Sequence, residues 1–260
     1  MTGDDFSGRA VLVTGGAQGI GRGIAEHLLT RGACVLALDR DAVALDAWAS
    51  FQSPHHRARL LTHVGDVAEE QTAVAAVSAI VSAFGGMHGL VNNAGIADPH
   101  GEPPERLDLA HWNRVLAVNL TGAFLMCKHA LPHLRAGRGA IVNITSTRAL
   151  QSEPHGEAYA ASKGGLLALT HALAASAGPE VRVNAVSPGW IDVATLRPRS
   201  AQQPTSLRLQ DHAWHSVGRV GLAADVAAAV AFLLSDAAAF ITGENLVVDG
   251  GVRRRMHYPE

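Results

Sequence analysis

The chain has 260 residues, 48% of them hydrophobic, with 21 basic and 23 acidic side chains and a formal charge of −2. That composition suits one sizeable core, so a single domain over residues 1–260 is expected, with no field to draw in nucleic acid or an anionic membrane. Two cysteines, Cys34 and Cys127, leave no room for a disulfide framework or a zinc-type spacing.

From the N-terminus, Met1–Phe6 has neither a basic start nor an apolar stretch. No secretory signal is expected there, and a cytoplasmic location follows. The longest apolar run, Val226 to Leu234, is too short to span a bilayer. Along the chain, short β-rich runs alternate with Ala-rich stretches of helical period, the pattern of repeated βα units around a parallel sheet. Seven strands are expected at Ala10–Val13, Ala33–Leu38, Leu60–Val64, Gly89–Val91, Ala140–Ile144, Arg182–Val186 and Asn245–Val248, most of them apolar on both faces. The fold class is thus α/β, a doubly wound parallel sheet. Ile20, Ile24 and Leu28 form the apolar stripe of the first helix, which Gly32 ends. Leu109–Leu134 is the longest helical pattern, with Pro132 near its end, and Tyr159–Ala177 is the next. Residues 192–217, rich in Arg, Gln, Pro and Ser, lack periodicity and read as a loop or lid beside the site.

The string Thr14-Gly-Gly-Ala-Gln-Gly-Ile-Gly21 falls between the first strand and the first helix. Glycines there let the backbone approach a pyrophosphate, and the helix N-terminus favours its charge. Asp39 follows the second strand, where a carboxylate can accept hydrogen bonds from ribose hydroxyls and repel a 2′-phosphate. NAD is therefore expected over NADP, although Arg40 beside it could receive the phosphate.

Tyr159-Ala-Ala-Ser-Lys163 places a phenol and an ammonium four residues apart on one helix face. A nearby positive charge favours phenolate, which would bring a group that ordinarily titrates near 10 toward use at neutral pH. Ser146, just past the fifth strand, offers a hydroxyl to polarise a carbonyl or steady an alkoxide.

Taken together, Thr14–Gly21, Asn92-Asn-Ala-Gly95, Asn119, Ser146, Tyr159 with Lys163, and Pro188-Gly189 resemble the compact, single-domain branch of the short-chain dehydrogenase/reductase family, in order over residues 7–253. The resemblance implies a Rossmann-type sheet and hydride transfer between a nicotinamide and an alcohol or ketone. It makes Asn119, Ser146, Tyr159 and Lys163 the catalytic set. Tyr159 would exchange the substrate proton, Lys163 also hold the nicotinamide ribose, Ser146 orient the substrate oxygen, and Asn119 anchor a water in the proton relay. The cofactor would meet Gly15, Gln18, Gly19, Ile20, Gly21, Asp39, Arg40, Asp66, Val67, Asn93, Ala94, Gly95, Tyr159, Lys163, Pro188, Gly189 and Ile191, with Asp66 and Val67 recognising adenine. Val193 departs from the family pattern, where a threonine hydroxyl is common; Thr195 could replace it from a shifted loop.

Family geometry also places Arg148, Gln151, His155 and Trp190 around the substrate with Ser146, and Trp214 near them. Arg148 could select a carboxylate. Leu116, Leu120, Phe124, Leu166 and Leu169 resemble the family's subunit-contact faces, although some of them must instead pack on the sheet, and a homotetramer or homodimer is expected. His129 and His133 share a helix face, but no metal site is expected, since no glutamate follows His129 in the metalloprotease manner and Pro132 lies between the two. The partners expected are a small alcohol or ketone, not nucleic acid or membrane. Two rivals are an NADPH-dependent 3-oxoacyl reductase, which Asp39 opposes, and a non-catalytic dinucleotide-sensing module, which would have no need of Ser146, Tyr159 and Lys163 together.

Overall fold

A computed structural model describes residues 6–97, 101–197 and 207–256. The apolar runs form a parallel sheet of β1 (Ala10–Thr14), β2 (Cys34–Asp39), β3 (Leu60–Val64), β4 (Gly89–Asn92), β5 (Ala140–Ile144), β6 (Arg182–Pro188) and β9 (Asn245–Val248). Their spatial order is β3-β2-β1-β4-β5-β6-β9. Each strand starts and ends within two residues of where its apolar run predicts. The two-residue strands β7 (Ile191–Asp192) and β8 (Gly221–Leu222) pair separately and have no sequence signal long enough to register.

Alternation along each strand divides the core into two layers. From β1, Val11 and Val13 face the layer that Ile24, Leu28, Val230 and Leu234 fill. Those residues come from α1 (Gly19–Thr30) and α9 (Ala223–Leu234). Leu12 faces the other layer with Ile80, Met126 and Ala177, from α4 (Glu70–Phe84), α6 (Gly122–Ala136) and α7 (Glu157–Ala177). The order in which strands are added reverses between β1 and β4, which opens a crevice at the carboxyl ends of the parallel strands.

The long helical pattern is not one α-helix. A π turn, Ala117–Thr121, separates α5 (Leu109–Leu116) from α6 and carries Asn119. As one stretch, Leu109–Ala136 is long and apolar enough to cross a membrane by length and composition. Met126, Cys127, Ala130 and Leu134 bury its inner face in the core, and half of its most apolar window is buried.

Two of the residues expected at subunit contacts are used within the chain. Leu166 is only 1% exposed. Leu120 packs over Gly165, where a Cβ would stand 2.8 Å from its Cδ2. Within 192–217, Ala194–Leu196 forms a 3-10 turn and Leu209–Ala213 a short helix, α8; residues 198–206 of the predicted lid lie outside the described residues.

Candidate active site

The turn from β1 into α1 is built by glycines with distinct tasks. Gly15 (φ +63°) and Gly19 (φ +60°) adopt left-handed backbone that side chains disfavour. Gly21 lies behind the turn and off the cleft wall: a Cβ there would sit 2.1 Å from the Gly15 carbonyl oxygen and 2.3 Å from Asn93 Nδ2. Its missing side chain lets Asn93 Nδ2 donate to the carbonyls of Thr14 (2.9 Å) and Gly15 (3.1 Å). Gln18 precedes α1 without a side-chain cap, and no acidic group occupies the first turn, so the helix end is left for an anion. A diphosphate fits this cradle.

The cleft beyond it holds about 1530 Å3 and is walled by Gly15, Gln18, Gly19 and Ile20 at this end. Asp39 closes β2 at 8% exposure. Its oxygens accept from the backbone N–H of Ala17 and of Asp41, each at 3.1 Å, while Arg40 lines the same wall, exposed. Asp66 and Val67 line the cleft as expected. Burial opposes the charge of Asp66, but the Ala68 N–H (3.0 Å) and the Arg114 guanidinium (2.5 Å) outweigh it and hold the carboxyl below its ordinary range. Arg114 also lines the cleft and escaped the sequence reading, because nothing local in α5 marks a partner in the loop after β3. Asn93, Ala94 and Gly95 form the floor.

At the other end, Ser146 leaves β5 buried and faces Tyr159 in the first turn of α7. Lys163 lies one turn further on, 4% exposed, with its Nζ donating to the Ile144 carbonyl (2.8 Å) and standing 5.7 Å from the centroid of the Tyr159 ring. Desolvation lowers the lysine from its ordinary 10.5 to about 8. The phenol differs from the spacing-based expectation. Burial raises Tyr159, a hydrogen bond with Ser146 and the charge of Arg148 lower it, and Glu153 raises it. Ser146 and Arg148 oppose burial at the phenol, while the Lys163 ammonium beside the ring bonds the Ile144 carbonyl.

Asn119 is buried inside the fold rather than solvated. Its Oδ1 accepts from Ile96 N (2.7 Å), and its Nδ2 donates to Ile96 O (3.1 Å) and Ser162 Oγ (3.0 Å). It stands behind the cleft wall beside Lys163: a Cβ on Gly95 would be 3.3 Å from Asn119 Oδ1 and 3.4 Å from Lys163 Nζ.

Pro188, Gly189, Ile191 and Val193 line the cleft after β6, and Thr195 does not. Gln151, Trp190 and Trp214 line the substrate end, Trp190 with 47% of its surface exposed. Arg148 is there too, but both oxygens of Glu153 already occupy its guanidinium, which departs from the open carboxylate receptor expected of it. His155 stands apart: it is exposed, has a left-handed φ of +67°, gives its carbonyl to Gly101 N (3.1 Å), and is not in the cleft wall. His215 was missed; it is buried against Trp190, and Asp211 O, which can only accept, fixes the proton on its Nδ1 (3.0 Å). His129 turns to Glu70 (2.9 Å), away from any pairing with His133.

The comparisons with known proteins agree with this geometry. Residues 15–253 match the family model described as enoyl-(acyl carrier protein) reductase. An uncharacterized oxidoreductase of Thermotoga maritima is 40% identical over 261 residues, 98% of this chain and 100% of that one. Cis-4-hydroxycyclohexanecarboxylate dehydrogenase of Sinomonas cyclohexanicum is 40% identical across 96% of this chain and 98% of its own. Among solved structures, the short-chain glucose/ribitol dehydrogenase of Brucella melitensis superposes with a TM-score of 0.85 at 34% identity, covering 97% of this chain and 99% of that one. With a doubly wound sheet, a glycine cradle for a dinucleotide and relatives that oxidise alcohols, this chain belongs to the short-chain dehydrogenase/reductase family of oxidoreductases.

Proposed function

We propose that the chain is an NAD-dependent dehydrogenase of small hydroxylated molecules, with residues 1–260 acting as one cofactor-binding and catalytic unit. The observation that carries this reading is the meeting of Ser146, Tyr159 and Lys163 at the strand ends, in the same cleft as the glycine cradle and Asp39. A bound nicotinamide would accept or give the hydride. The chain's own part is to hold the substrate oxygen between the Ser146 hydroxyl and the Tyr159 phenol and to move its proton. Lys163 and Asn119, side by side behind Gly95, are placed to carry that proton onward, and their enclosure keeps bulk water from the reacting carbon.

Support for NAD comes from Asp39. Two backbone N–H groups hold it directed at the wall, where its carboxylate would accept from ribose hydroxyls and repel a phosphate. A panel of polyols, sugars and cyclic hydroxy acids, followed by nicotinamide absorbance with both cofactors, tests the reading. NAD turnover is expected with at least one of them. Asp39→Ala should weaken NAD about ten- to a hundredfold, the worth of charge-assisted hydrogen bonds, while NADP gains. Tighter NADP binding by the unaltered chain would overturn the cofactor assignment.

The two free cysteines and the absence of any disulfide among the described residues suit the reducing cytoplasm. Phe124 leaves 46% of its surface exposed on α6, which favours a subunit contact there and a homotetramer. Sedimentation equilibrium should give four chains per particle; a monomer at micromolar concentration would rule this out.

A further inference from the structure

Beyond the catalytic trio, the cleft ends in an aromatic wall that the proton transfer does not use. β5 and β6 are neighbours in the sheet, with Ile144 opposite Val186. The residues leaving β6, Gly189 and Trp190, therefore emerge about one strand spacing, ~4.8 Å, from the path that leads β5 to Ser146. Trp190 is pinned on both sides: Gly189 N donates to Val248 O (2.9 Å), and the Trp190 carbonyl accepts from Gly221 N (3.1 Å). Its indole nevertheless remains half-exposed in the cleft wall. His215 packs against it, the ring centroids 6.3 Å apart and the planes inclined by 53°, in the range where tilted rings attract. That imidazole is fixed in turn. It is buried, its Nδ1 donates to Asp211 O (3.0 Å), and Gly250 lies so close that a Cβ there would stand 3.2 Å from its Cδ2. A second indole, Trp214, lines the same end. Three arginines of this wall are already matched, Arg148 by Glu153, Arg208 by Asp211 and Arg253 by Asp249.

We propose that Trp190, braced by His215, is the platform on which the substrate lies, and that the site selects uncharged cyclic secondary alcohols over open-chain ones. The substrate class rests on the dehydrogenase reading of the cleft; the platform itself does not. An indole face is broad, apolar and electron-rich, so the slightly positive C–H groups on one side of a saturated six-membered ring lie flat against it. An open chain of the same size must freeze its rotors to make that contact, whereas a ring has none left to lose. The platform is preorganised as well: a backbone pinned on both sides and an imidazole behind the indole leave little to be ordered when a substrate arrives. His215 is a positioning residue that acts through Trp190. A carboxylate on the ring would have to compete with Glu153, Asp211 or Asp249 for a guanidinium, which favours a neutral ring.

Two probes separate ring from chain: cyclohexanol, and 2-hexanol, which has the same number of carbons and a secondary hydroxyl but no ring. With NAD, the parent should favour cyclohexanol in kcat/KM by about tenfold or more. Trp190→Ala should bring that ratio close to one, chiefly through KM, and Trp190→Phe, which keeps a smaller aromatic face, should retain most of it. His215→Ala should lower the ratio part of the way. Adding it to Trp190→Ala should lower the ratio no further, because a brace without its platform has nothing to hold. Simple damage to the fold would depress both alcohols together; a ratio that survives Trp190→Ala therefore overturns the proposal. Binding is read without turnover in the Tyr159→Phe background, with NAD saturating and 5-fluorotryptophan in place of the four tryptophans. The 19F line lost in Trp190→Phe belongs to Trp190. Cyclohexanol should shift that line, and 2-hexanol at equal concentration should shift it far less. A line indifferent to cyclohexanol, or equally responsive to both alcohols, overturns the platform even if Trp190→Ala does not fold. A shift specific to cyclohexanol, with no turnover by the parent, would leave the platform standing and remove the dehydrogenase reading alone.

Discussion

Tyr159→Phe is expected to lower kcat by about 10^2- to 10^4-fold, the usual worth of a positioned acid/base, while NAD affinity changes less than about twofold. The substitution removes one oxygen from a half-buried ring and leaves the cradle of Gly15, Gly19 and Asp39 untouched at the far end of the cleft. Ser146 keeps its bond from the Arg148 N–H, so its hydroxyl is not orphaned when the phenol goes. What disappears, on the proposed mechanism, is the phenol that gives or takes the proton of the substrate oxygen. Steady-state kinetics together with fluorescence titration of NAD separate the two effects. A loss confined to KM would mean that the phenol binds substrate without exchanging its proton, and turnover within a few-fold of the parent would dispose of the mechanism.

The second large effect falls on stability. Lys163 is buried with a folded value of about 8 against an ordinary 10.5. At neutral pH that difference corresponds to roughly 3 kcal/mol of destabilisation, because the folded chain must bury an ammonium that the unfolded chain leaves in water. Below pH 8 the lysine is protonated in both states and the full cost is present. Between 8 and 10.5 the unfolded state binds more protons than the folded one, so stability rises with pH, and beyond 10.5 the cost is gone. Lys163→Met removes this penalty but strands the Ile144 carbonyl, which costs about 1–3 kcal/mol. The variant should therefore be inactive yet as stable as the parent or up to about 2 kcal/mol more stable at pH 7, and less stable at pH 10. Urea unfolding of both proteins at the two pH values reads the result. A difference that does not change with pH would show that the buried amine carries no such burden. A catalytic group that weakens its own fold is the usual compromise between stability and function.

What the chain's own letters determined is what local period and local chemistry can encode. Seven apolar runs mark the strands, and the five interior ones, β1, β2, β4, β5 and β6, are buried on both faces, where a parallel strand admits little else. Thr14–Gly21 settles the phosphate turn, since only glycine tolerates its positive φ and close approaches. The spacing of Tyr159 and Lys163 puts them on one helical face wherever that helix lies. The tertiary structure alone decided which groups meet across long separations. Arg114 reaches Asp66, Arg148 closes on Glu153, and Lys163 bonds Ile144, each through a rotamer and a backbone path that no window of sequence contains. The same limit explains His155, which loop shape carries out of the cleft, and Leu166, whose helical position suits a subunit contact until the rotation of α7 buries it. It also explains the π turn at Asn119: one extra residue in a helical turn leaves the apolar pattern nearly unchanged, yet places an amide against Ile96 and Ser162. Periodicity reports the face a residue presents; distance between segments depends on how whole elements pack, and the chemistry of this cleft is made of such distances.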